Sequence, residues 1–175
     1  MSFAAHKELG FESVLIVEGP TEVKTFQQML RKFRTEHRVV ILPVSGRFDG
    51  DMAEELEEVM RISSNVHAII DSEKSVATER LSNKRQEFVA LCEKLGLQCF
   101  VLSKRATENY FPDDVIKSVF GEQHRALEPF ERLKDAPKPW PKRQNWLLAR
   151  AMSQEQIEAT DLGQFLKRLA TPQGQ

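Results

Sequence analysis

Short apolar runs alternate along this chain with longer stretches in which apolar residues recur at helical spacing. Val14 to Val17 is a continuous apolar run closed by Glu18 and Gly19, and it reads as a buried strand. Pro20, with its fixed φ, suits the first position of a helix. That helix is predicted to run to about Phe33, with Val23, Phe26, Met29, Leu30 and Phe33 on one side and Lys24, Arg31, Lys32 and Arg34 on the other. Val39 to Val44 is a second strand; Ser45 to Gly50 is a turn leading into a helix from Met52 to about Ile62. Asn65 to Ile70 is a third strand that stops at Asp71-Ser72-Glu73. After a polar stretch, a helix is predicted from Asn83 to Leu95 with Gly96 as its C-terminal cap, and Gln98 to Leu102 forms a fourth strand. Strand and helix in alternation predict right-handed crossovers and an α/β fold: a mainly parallel four-stranded sheet flanked by helices on both faces.

From Pro112 the pattern changes, because no further strand is evident. Helices are predicted over Pro112 to Phe120 and Glu122 to Leu133, followed by a proline-rich extended connection from Asp135 to Pro141. A helix then carries the apolar block Trp146 to Ala149. Ser153-Gln-Glu-Gln156 has the form of a capping box, and Asp161 is expected to cap a last helix carrying Leu162, Phe165, Leu166 and Leu169. The chain therefore divides into a lead-in (1–11), a sheet domain (12–112), a small all-helical C-terminal subdomain (113–170) and a tail (171–175).

The 175 residues, 41% hydrophobic and 29% charged with a mean hydropathy of −0.43, suit one globular domain with an appendage. No apolar run approaches the roughly 18 residues of a membrane helix, and no signal pattern opens the chain; a cytoplasmic location without membrane association is expected. The two cysteines, Cys92 and Cys99, form no C-x-x-C motif and read as reduced core residues. A net charge of −1 gives no bulk attraction to nucleic acid, so such binding would rest on local patches or bound cations. No phosphate-loop motif occurs, so any ATPase would be another domain or subunit.

The chemistry suggested by the strands changes this picture. Glu18 with Glu22, Asp71 with Glu73, and Glu108 all follow strand ends, and in a parallel sheet those ends share one edge. Each has an ordinary structural explanation: an acid in a first helical turn suits the helix dipole, and Asp71 suits a helix entry. Together they present a charge problem. Two carboxylates about 5 Å apart repel by roughly 3 kcal/mol at an effective dielectric near 20, so a cluster needs a cation or raised pKa values. Hard oxygen ligands with no nearby histidine or cysteine select Mg²⁺ or Mn²⁺. His67, in the third strand, reads as a packed residue, and no Ser, Cys or His constellation suggests a covalent nucleophile.

Leu15-Ile-Val-Glu-Gly-Pro-Thr-Glu22 with Asp71-Ser-Glu73 resembles the Toprim domain of topoisomerases, primases and certain nucleases. Val44-Ser-Gly46, Arg105-Ala-Thr-Glu-Asn-Tyr-Phe111 and Lys142 ahead of an apolar helix are most similar to the OLD-family (overcoming lysogenisation defect) nucleases, over residues 12 to 170. The resemblance implies a Toprim catalytic domain at 12–112 and an endonuclease that hydrolyses DNA by nicking or double-strand cleavage. It further implies two Mg²⁺ or Mn²⁺ ions and an ATPase partner. Glu18 matches a metal-ligating or acid/base glutamate; Glu22, Asp71, Glu73 and Glu108 match metal ligands, with Glu73 departing from the usual aspartate. Lys142, or its neighbour Arg143, matches the base that steadies the transition-state phosphate; Arg105, Arg143 and Arg47 are candidate nucleic-acid contacts. Strand passage and primer synthesis fit less well, since Tyr110 is the only tyrosine. The alternative is a non-catalytic module that binds nucleic acid and docks onto an ATPase. DNA versus RNA and self-association stay open.

Overall fold

A computed structural model describes residues 10–44 and 52–169. The turn from Ser45 to Gly50 with Arg47, most of the lead-in and the tail lie outside the described residues. Strands β1 (Ser13–Val17), β2 (Val39–Pro43), β3 (Val66–Ile70) and β4 (Gln98–Val101) form one sheet in the order β2-β1-β3-β4, and every pair is parallel. Seven α-helices flank it among the described residues: α1 (Pro20–Lys32), α2 (Ala53–Ile62), α3 (Asn83–Leu95), α4 (Asp113–Phe120), α5 (Asn145–Ala151), α6 (Gln154–Glu158) and α7 (Asp161–Leu169). The predicted α/β architecture is therefore the observed one.

The two central strands, β1 and β3, are buried along their whole length, which is why they read as unbroken apolar runs. Alternation along them feeds two cores. Leu15, Val17 and Ile69 pack with Phe26, Met29 and Leu30 of α1; Val14, Ile16, Ala68 and Ile70 pack with Leu56 of α2 and Phe88 and Cys92 of α3. Residues of the C-terminal helices, including Ile116, Leu148, Ile157, Phe165 and Leu166, join the first of these cores. The hydroxyl of Ser13 at the start of β1 donates to the Leu169 carbonyl at the end of α7 (3.0 Å).

Two local expectations are corrected. Glu122 to Leu133 is an irregular segment closed by a short 3₁₀ turn at Leu133–Asp135, not a helix. Pro129 lacks an N–H and obstructs a helix through that stretch. The segment's carbonyls are used elsewhere: Asn109 Nδ2 donates to those of Glu128 (2.6 Å) and Glu131 (2.9 Å), and the Arg105 amide donates to that of Pro129 (2.8 Å). Nor does Asp161 cap the last helix. Thr160 Oγ1 accepts from the Gly163 amide (2.9 Å), while the Asp161 carboxylate accepts from the Ser103 amide and the Tyr110 hydroxyl, both at 3.3 Å. The capping box at Ser153 and the left-handed Gly96 cap (φ 71°) are present.

Candidate metal and phosphate site

From β1 the chain crosses to β2 on one side, and from β3 to β4 on the other, so the strand order reverses between β1 and β3. The crevice beyond their carboxyl ends is the usual ligand position in such a sheet. Glu18 leaves β1 there, Glu22 follows in the first turn of α1, and Asp71 directly follows β3. A small pocket at that edge is lined by Glu18, Glu22, Phe26, Asp71 and Thr107. Gly19 makes room for it, since a Cβ there would lie 3.3 Å from Glu22 Oε2.

Glu108 arrives on a 3₁₀ turn, Thr107–Tyr110, whose entry is fixed by the Ala106 amide donating to Asn109 Oδ1 (3.1 Å). Lys142 comes from the C-terminal part of the chain, on the 3₁₀ turn Lys142–Gln144 before α5. Its Nζ lies 3.3 Å from Glu22 Oε1, 3.4 Å from Glu108 Oε1 and 3.8 Å from Asp71 Oδ2. Those three acids are buried, whereas the Lys142 side chain is 47% exposed. Any two of the three oxygens are thus less than twice 3.8 Å apart.

Further donors fix the carboxylates. The Thr107 amide and hydroxyl donate to Asp71 Oδ1 (3.2 and 3.4 Å), and Asn145 Nδ2 donates to Glu108 Oε1 (2.6 Å). Asn145, fully buried at the start of α5, accepts in turn from Trp140 Nε1 (3.0 Å). Burial pushes the Asp71 carboxyl up to about 7; Lys142 pulls against the rise, while Glu108, Glu22 and Glu18 add to it. For Lys142, burial opposes the charge, but Glu108, Asp71 and Glu22 outweigh it and hold the ammonium above the ordinary lysine value.

Glu18 and Glu73 belong to a second grouping. Arg85 in the first turn of α3 places Nη2 at 3.0 Å from Glu73 Oε1 and 3.7 Å from Glu18 Oε2. Glu73 is one of two described non-glycine residues at positive φ (53°), held there as its amide donates to the Arg105 carbonyl (2.8 Å). The five acids therefore meet at one sheet edge but around two protein cations. Arg105 is spent on that loop, its Nη1 donating to the Lys74 carbonyl (2.7 Å), and Arg143 is exposed and pairs with none of the acids among the described residues. His67 sits between Asn65 Oδ1 (2.7 Å) and Gln98 Oε1 (3.0 Å), and burial lowers its pKa against the opposing Gln98 bond.

Sequence reasoning missed Arg85, Asn145 and Trp140. Arg85 does leave a trace: Lys84 and Arg85 occupy the first turn of a helix with no acid there, the end where the dipole disfavours cations. Asn145 and Trp140 leave none. The donors at this edge are all oxygen, the chemistry of a hard divalent cation. Among the described residues no three of them stand close enough to hold an ion as placed, and Lys142 Nζ occupies the space between Glu22, Asp71 and Glu108. The ion would be held by Glu22, Asp71 and Glu108, with Glu18 beside them. Comparison with protein-family models, with curated proteins and with solved structures returns no match.

Proposed function

We propose that this protein is a divalent-metal-dependent endonuclease that hydrolyses DNA phosphodiester bonds, acting with an ATPase domain or subunit as OLD-type Toprim nucleases do. The observation that carries the reading is the convergence of Glu22, Asp71 and Glu108 on one ammonium, that of Lys142. The sequence resemblance to the Toprim nucleases, which rests on the same residues, points the same way. Mg²⁺ or Mn²⁺, when bound, would supply a water of lowered pKa and neutralise charge building on the attacking and leaving oxygens.

The chain's own residues would do the rest. Glu22, Asp71 and Glu108 hold the ion, and Glu18 sits at the same edge as acid/base or ligand. Asn145 and Trp140 stop Glu108 from turning away. Lys142, on a solvent-facing stem, offers its ammonium to a non-bridging phosphate oxygen, where developing negative charge is largest. Tyr110 does not fit a nucleophile for strand passage: it is 3% exposed, its hydroxyl donates to Asp161, and burial pushes its pKa up to about 12. Supercoiled plasmid incubated with the protein and Mg²⁺ or Mn²⁺ tests the proposal. Nicking is expected, with Glu18→Gln inert and Lys142→Ala slowed by about 10²-fold or more. No nicking with either metal would leave the second reading, a non-cutting module that docks onto an ATPase. That reading is favoured by one observation, the acids' existing pairing with Lys142 and Arg85.

A further inference from the structure

The two cations facing the acid edge differ in their freedom to leave. Lys142 is 47% exposed and sits on a flexible stem, so its ammonium has water to withdraw into. Withdrawal leaves Glu22, Asp71 and Glu108 to an incoming cation. Arg85 has no such route. Its side chain is 7% exposed, its Nε is buried without a partner, and its helix is pinned to the core by Phe88 and Cys92. Displacing it would separate a desolvated guanidinium from Glu73 at 3.0 Å and Glu18 at 3.7 Å. The cost falls on the arginine: the Glu73 side chain is 57% exposed and that of Glu18 35%, so water can take up the carboxylates, but the buried guanidinium would be left without a counter-charge. Glu73 is also restrained at its backbone, with its amide bound to Arg105.

Building on the metal-dependent reading above, we propose that Arg85 is a protein-supplied competitor at the Glu18–Glu73 end of the site. The chain then takes up one divalent cation tightly, on Glu22, Asp71 and Glu108, and a second only weakly, because the second must displace the guanidinium. The sequence resemblance implies two ions; on this proposal the two differ in affinity. It also gives the departure at Glu73 a physical use: the carboxylate reaches Arg85.

Calorimetric titration of the whole chain with Mn²⁺, with free Mn²⁺ counted by its paramagnetic resonance, reads the steps without any cleavage assay. One tight Mn²⁺ per chain is expected for the wild type. Arg85→Gln should strengthen the second step by about tenfold or more, and Arg85→Lys should stay near the wild type. Two equal tight sites in the wild type, or an unchanged second step in a folded Arg85→Gln protein, would overturn the inference and leave the nuclease reading standing. No Mn²⁺ uptake by the wild type would remove both. Should Arg85→Gln fail to fold, the wild-type stoichiometry decides alone.

Discussion

At the scale of single residues, the site is a chain of fixed side chains ending in one partly exposed cation. Trp140 holds Asn145, Asn145 holds Glu108, and Glu108 faces Lys142. Asn145→Ala leaves a buried indole N–H and a carboxylate oxygen without this partner, a loss of about 1–3 kcal/mol that a shift of the urea midpoint would register. Asp71 predicts a pH dependence. Below pH 3.8 the folded and unfolded chains both hold its proton; between 3.8 and about 7 the unfolded chain releases it first, so stability falls as pH rises. Above about 7 the cost is complete, about 4 kcal/mol at most. Urea denaturation in EDTA at pH 5 and pH 8 should show the decline, and Asp71→Asn should flatten it; an equal decline in the variant would show that Asp71 is not its source.

At the scale of elements, α6 and α7 meet as closely as backbones allow. A Cβ on Gly163 would come within 1.9 Å of the Ile157 carbonyl oxygen, so no rotamer adjustment relieves it. Gly163→Ala should force the two helices apart and cost about 1–3 kcal/mol or more, seen as a lower midpoint in thermal unfolding. The same scale explains the missed segment after α4. Residues 122–133 carry apolar positions at helical spacing, but their carbonyls are taken by Asn109 and the Arg105 amide, and Pro129 interrupts the ladder. That choice serves the site, because Asn109 also fixes the turn carrying Glu108.

At the scale of the whole molecule, the C-terminal helices and the sheet share a core. Phe165 stacks on Phe100 of β4 with ring centroids 4.4 Å apart, and Leu162, Leu166 and Leu169 are buried beside it. Each such side chain contributes about 1.5–3 kcal/mol by its burial. A chain ending at residue 160 should therefore lose its cooperative thermal transition; a sharp transition with native circular dichroism would show that the sheet stands without α7. Lys142 depends on the same packing, since α5 carries it to the edge from beyond α4.

The strands, their parallel order of connection and the shared edge of Glu18, Glu22, Asp71 and Glu108 were legible in the sequence, because buried parallel strands must be apolar and acids after strand ends must emerge on one side. Gly96 and Ser153 were legible for the same reason: capping is local chemistry. The pairing of charges was not. Lys142 lies 34 residues beyond Glu108, a separation shown by their numbers, and meets it only because α5 packs on α1 and α4. Arg85 faces Glu18 and Glu73 only because α3 covers the other face of the sheet. Ion pairs between distant segments depend on orientation and on distances of a few ångströms, which no spacing along the chain encodes. The acidic edge belongs to the sequence, and its division between a partly exposed lysine and a buried arginine belongs to the tertiary structure.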